Sequence, residues 1–169
     1  MDSLDPRSQA IVDECKRQEE SCLYTSTALY TWQKEVRALR VAFIVLPIIF
    51  GSIATVRVFV RDPSLDWVVA LCAFVAGLFP AIFKALDLDV SVKTIGDSAN
   101  RFKSLQDRFR QASRIAATKM PDELEAEFKV LMDKMDEART ANPSVPERHF
   151  KDAQKKILGG AYSFDSVKS

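Results

Sequence analysis

Residues 41–83 read VAFIVLPIIFGSIATVRVFVRDPSLDWVVALCAFVAGLFPAIF, two apolar runs around a short polar break. Sixteen residues from Val41 to Val56 carry no charge, and neither do the seventeen from Trp67 to Phe83. Between them RDPSLD, Arg61 to Asp66, packs three charges and a proline into six residues. A helix rises about 1.5 Å per residue, so the two runs cover roughly 24–26 Å, against a bilayer core of about 30 Å. Apolar flanks make up the difference: Leu39 before the first run, Val58 to Val60 after it, Ala85 and Leu86 after the second. Arg40, Arg57 and Lys84 stand at the ends, where long cations snorkel to headgroups, and Trp67 marks a boundary of the kind interface aromatics prefer.

The second run has nine Val, Leu, Ile or Phe residues and the first has ten. Nine such residues at mid-membrane favour insertion by about 3 to 5 kcal/mol. No charge lies near either centre to cancel that gain. The alternative, a soluble hairpin of two fully buried helices, needs a large surrounding domain to cover both all round. The rest of the chain is too short and too charged for that. The sequence predicts spans at about 41–60 and 67–86, joined by a polar turn in which Pro63 ends the first helix. Pro47 and Pro80 inside the spans are tolerated more readily in membranes than in soluble helices.

The 169-residue chain is 47% hydrophobic and 28% charged with net charge +1, but these averages hide a segregation. Residues 1–40 hold 13 charges, 41–83 hold four and 84–169 hold 30. The balanced charge argues against a nucleic-acid binder. Cys15, Cys22 and Cys72 are too widely set for a disulfide framework or a metal site, so a reducing compartment is expected. No targeting segment is expected before residue 41, because no basic stub leads into an apolar core there. Two spans place both termini on one side of the membrane. Lys34, Arg37, Arg40, Lys84, Lys93, Arg101 and Lys103 flank the spans on the terminal side, against Arg57 and Arg61 in the turn. By total the ends are more basic, whereas by density the short turn matches them. Cytoplasmic termini are the expectation, since no export signal serves the large C-terminal part.

The arms on either side carry apolar residues at helical spacing. Ile11, Cys15, Cys22, Leu29, Trp32, Val36 and Leu39 form one stripe over about residues 6–38, running into the first span. For Cys15 and Cys22, seven apart on that stripe, burial as small apolar side chains is set against a redox role. After the second span, Ile95, Ala99, Phe102, Leu105, Phe109, Ala112 and Ile115 make a heptad-like seam. Pro121 with Asp122 and Glu123 opens the next helix, whose stripe is Leu124, Phe128, Leu131, Met135 and Ala138. Ser144 with Glu147 fits a capping box for a last short helix carrying Phe150, Ala153, Ile157 and Leu158, which stops at Gly159-Gly160. Beyond it, AYSFDSVKS is expected to fray unless Tyr162 and Phe164 dock. The fold class is therefore all-α: a transmembrane helical hairpin (41–86) between an N-terminal cytoplasmic amphipathic helix (1–40) and a C-terminal cytoplasmic helical region (87–169), forming an oligomer.

No catalytic, cofactor-binding or metal-binding residues emerge. His149 is the lone histidine and is expected at the surface of the last helix. Asp87 and Asp89 read more plainly as solvated helix ends than as an acid–base pair. Five glycines form no phosphate loop. Small residues recur every four positions at Ala73, Gly77 and Ala81, and at Gly51 with Thr55, a spacing that lets helices approach closely in lipid. Arg57 and Arg61 either line a pore mouth in an assembled ring or snorkel without further function. Arg101, Arg108, Arg110 and Arg114, interleaved with Phe102 and Phe109, either accept a phosphorylated ligand or form a solvated face, with Asp97 and Asp107 among them.

An N-terminal helix, a tight two-span hairpin, the segment SANRFKSLQDRFRQ and the terminal NPSVPERHFKDAQKKILGGAYS together resemble the SLATT family. The likeness runs over most of the chain and rests on Ala99, Phe102 and Leu105 at helical spacing and on Pro143-x-x-Pro146. That family comprises bacterial two-transmembrane effector domains associated with nucleotide-making and nucleotide-sensing partners. The resemblance implies a pore-forming or membrane-disrupting effector of antiviral defence in the inner membrane, released by a nucleotide second messenger or by its synthase or sensor. It supplies no catalytic residues. A reading from another class is a non-enzymatic membrane scaffold whose helical arms recruit a soluble partner.

Overall fold

The computed structural model describes residues 5–56 and 66–160. The expected turn with Arg57, Arg61 and Pro63, and the expected docking of Tyr162 and Phe164, fall outside the described residues, as does the side chain of Asp89. The described chain is all-helical, with no strand among the described residues. Its elements are α1 (Pro6–Val56), α2 (Asp66–Leu86), α3 (Leu88–Ile115), α4 (Pro121–Ala141) and α5 (Glu147–Leu158), with a short 3-10 turn at Ala116–Thr118. Two of these helices are long and apolar enough to cross a membrane. The chain divides into two compact units, one from residues 1–32 with 94–169 and one from 33–93.

The first unit is built on the stripes that periodicity predicts. Cys15, Cys22 and Leu29 on α1 are buried, as are Ile95, Ala99, Phe102, Leu105, Phe109 and Ala112 on α3, and Leu124, Leu131, Met135 and Ala138 on α4. Phe109 meets Phe128 edge to face with ring centroids 6.5 Å apart. Side chains fix the helix directions. Arg110 pairs with Glu19 at 3.8 Å and the Tyr30 hydroxyl donates to Asn100 Oδ1 at 2.7 Å, so α3 runs antiparallel to α1. Arg7 pairs with Asp122 and Glu125, while the Cys22 thiol donates to Met135 Sδ at 3.7 Å, so α4 runs parallel to α1. Buried Gln18 donates to Glu14 at 2.7 Å and accepts from Arg139 at 3.2 Å, which satisfies its amide at both ends.

Helix α5 departs from expectation in two ways. Its buried face is His149 and Ala153, four residues apart, while Phe150 and Leu158 are exposed. His149 is not a surface residue: its ring stacks on Trp32, with centroids 6.3 Å apart and planes at 26°. The helix also starts later than a capping box would require, with Pro146 at the N-cap and no side-chain cap. A cap at Ser144 would put Val145 in helical conformation directly before a proline, where the proline ring disfavours it. The glycine stop does form: Gly160 takes φ 79°, open to glycine, and its N–H bonds the Ile157 carbonyl at 3.1 Å.

The second unit extends past the apolar runs at both ends. Gln33 Nε2 donates to the Val92 carbonyl at 3.2 Å, and Val36 and Val92 are buried. Contact between α1 and α2 runs through aromatic rings, Phe43 and Phe50 lying 5.5 and 6.1 Å from Phe79. Asp87, at φ 45°, separates α2 from α3, in the left-handed region that aspartate tolerates better than most residues. Its carbonyl accepts the Ser91 N–H at 3.0 Å, starting the next helix.

Candidate functional site

Two features stand apart from ordinary packing, one in each unit. In the second unit, many large apolar side chains are exposed. No residue of α2 is buried, and Ile48 is 64% exposed, Phe74 66% and Trp67 68%. At 21 residues, α2 is about 31 Å long, the thickness of a hydrocarbon core.

The small residues lie on this outward surface. Thr55, Ala73, Gly77 and Ala81 are exposed and Gly51 is half-buried. A methyl group built on Gly51 or Gly77 would meet no atom within 4 Å. The contact between α1 and α2 leaves these glycines out, because the rings of Phe43, Phe50 and Phe79 hold the two helices together and glycine offers nothing to that contact.

In the first unit, α3 and α4 flank an open cleft of about 370 Å³ lined by Arg101, Ser104, Leu105, Arg108, Lys134, Glu137 and Ala138. The α3 contributors fall at i, i+3, i+4 and i+7 and those of α4 at i, i+3 and i+4, so each helix presents one stripe. Leu105 and Ala138 belong to the buried seam and form the floor, while the longer polar side chains stand around it. Among the described residues, no carboxylate forms an ion pair with Arg101, Arg108 or Lys134. Their neighbours are neutralised: Lys103 pairs with Asp107 at 3.3 Å and Arg110 with Glu19 at 3.8 Å.

Of the four arginines singled out from sequence, the cleft brings together Arg101 and Arg108, while Arg110 faces α1 and Arg114 does not line it. Sequence reasoning missed Ser104, Lys134 and Glu137. The i, i+3 step from Arg101 could have found Ser104, but Lys134 and Glu137 join only through the packing of α4 on α3.

The cysteines of the first unit are structural. Burial pushes the Cys15 thiol up to about 11, Glu127 and Glu14 adding to the effect. Burial does the same to Cys22, also to about 11, against a lowering by Arg139. Such thiols hold little nucleophilic thiolate at neutral pH. At the start of α1, the Arg7 guanidinium is raised above its ordinary range, first by its hydrogen bond to Glu125 and then by that carboxylate's charge. No group of three or more His, Cys, Asp or Glu side chains among the described residues is placed to hold a metal ion. No protein-family model, curated protein or solved structure matches the chain.

Proposed function

We propose that the protein is a non-enzymatic membrane effector whose hairpins assemble in the bacterial inner membrane and permeabilise it on a cytoplasmic signal, in the antiviral setting that its resemblance implies. Residues 41–60 and 67–86 span the bilayer, both termini lie in the cytoplasm, and neighbouring chains meet along the small-residue faces. The observation carrying this reading is the open space over Gly51 and Gly77 on an exposed apolar surface. Lipid cannot drive apolar helices together by hydrophobicity, so close backbone approach at small residues supplies the packing that does. Arg57 and Arg61, in the turn between the spans, take the pore mouth in this arrangement.

The test is induced expression with a membrane-potential dye. Wild type depolarises cells, and Ala73→Leu with Gly77→Leu abolishes the effect while the protein still fractionates with membranes. Depolarisation by the double variant at the wild-type level removes the assembly argument. The scaffold reading draws on the exposure of Phe150 (39%) and Leu158 (73%) on α5, an apolar pair free to meet a soluble partner. It predicts intact membranes at every expression level and a stoichiometric partner in a pulldown.

A further inference from the structure

We infer that the cleft between α3 and α4 is a binding site for a small phosphate-bearing molecule, held by Arg101, Arg108 and Lys134 with Ser104 beside them. Three cations and one carboxylate leave the lining with a net charge of +2. Elsewhere on α3, Lys103 and Arg110 have acidic partners. The acids Asp133 and Asp136 of α4 line a neighbouring groove instead.

The geometry suits a phosphoanion. Arg101 and Arg108 are two turns apart, about 10 Å along the axis, a distance that two long side chains can close to converge on adjacent phosphates. Guanidinium groups offer forked donors to phosphate oxygens, and the Lys134 ammonium adds a point charge from the opposite wall. The volume falls within the range of small-molecule clefts, roughly 300–1,000 Å³. The lining contains no aromatic ring and is dominated by charged and hydrogen-bonding side chains, so phosphate is the part recognised. Glu137 repels a bare anion and accepts a hydrogen bond from a hydroxyl. It therefore favours a phosphate ester carrying hydroxyl groups over inorganic anions.

The phosphate can come from a soluble ester or from a lipid headgroup, and the full chain in nanodiscs separates the two. With neutral lipid, ATP and pyrophosphate are titrated against wild type, Arg101→Gln/Arg108→Gln and Glu137→Gln. Binding that weakens about tenfold or more in the double variant supports the site with a soluble source. Glu137→Gln should tighten pyrophosphate severalfold, since it removes the one opposing charge. In the second arm the chain is purified from mixed lipid, and the phosphatidic acid that accompanies it is measured. Enrichment lost in the double variant, without ATP binding, assigns the same chemistry to a headgroup. The inference is overturned if neither ATP, pyrophosphate nor phosphatidic acid responds to the double variant, or if Glu137→Gln weakens pyrophosphate. It rests on the effector reading only for the step from binding to membrane opening. Depolarisation that survives loss of the cleft cations breaks that link, and binding without any depolarisation sinks the effector reading while leaving the site intact.

Discussion

The two units of this chain use the same residue types in opposite ways. In the unit of residues 1–32 and 94–169, the phenylalanines Phe102 and Phe109 are 2% and 0% exposed. In the unit of residues 33–93, Phe74 is 66% exposed and Ile48 64%. The first carries charges between its apolar positions and turns one stripe inward, as a helix in water must. The second keeps a few inside, Val36 and Val92 among them, and leaves most of its large apolar side chains exposed, as a helix in lipid can. The two units thus differ in where they put their apolar side chains, and substitution of comparable residues in each unit tests the contrast.

The largest effect is expected in the first unit. Phe109→Ala removes a fully buried ring and its edge contact with Phe128, and should cost about 3–5 kcal/mol of stability by denaturant titration of the full chain in detergent. Phe74→Ala, measured the same way, should leave the unfolding of that unit unchanged. Comparable losses from both would show that Phe74 is part of a water-facing core, and the contrast between the units would fail.

Next in size is a charge placed at the middle of α2. Phe74→Lys replaces a residue that favours insertion by about 0.3–0.6 kcal/mol with one that opposes it by about 2.5–3.5 kcal/mol, a swing of about 3–4 kcal/mol in apparent insertion free energy. A glycosylation-mapped insertion assay reads this directly. On a water-exposed helix the same change would lie within about 0.5 kcal/mol, so an unaltered insertion pattern would remove α2 from the membrane.

Legibility in the sequence follows the same division. The stripes of α3 and α4 could be read because period 3.6 and polarity agree at most positions from Ile95 to Ala138, the buried Ser98 and Gln106 and the exposed Val130 being departures. The long apolar runs could be read because nothing interrupts them. The face of α5 was hidden: hydropathy favours Phe150 over His149, but Trp32, more than a hundred residues earlier, offers a ring that the imidazole covers. The cationic cleft was half legible for a related reason. Arg101 and Arg108 share a stripe within one helix, whereas Lys134 and Glu137 reach them only after α4 has packed against α3. Local spacing shows a helix's faces, but the partner each face meets is a property of the assembled chain.

The smallest effect concerns the thiols of the first unit and carries a definite sign. Cys15 and Cys22 rise from 9.0 to about 11 on folding, chiefly because burial penalises the thiolate. Between pH 9 and about 11 the unfolded chain has released protons that the folded chain keeps, so stability falls as pH climbs through that window. Below it both states hold the protons and the thiols make no pH-dependent contribution. Cys15→Ala/Cys22→Ala should be less stable at neutral pH, because two cavities open in the core. Its stability should nonetheless fall less steeply with pH above 9 than that of wild type. Lysine and tyrosine titrate in the same range, but they are common to both proteins and cancel in the difference. Parallel pH profiles would mean that water reaches both sulfurs in the folded chain, and that the first unit does not exclude solvent from the α1 stripe on which its packing depends.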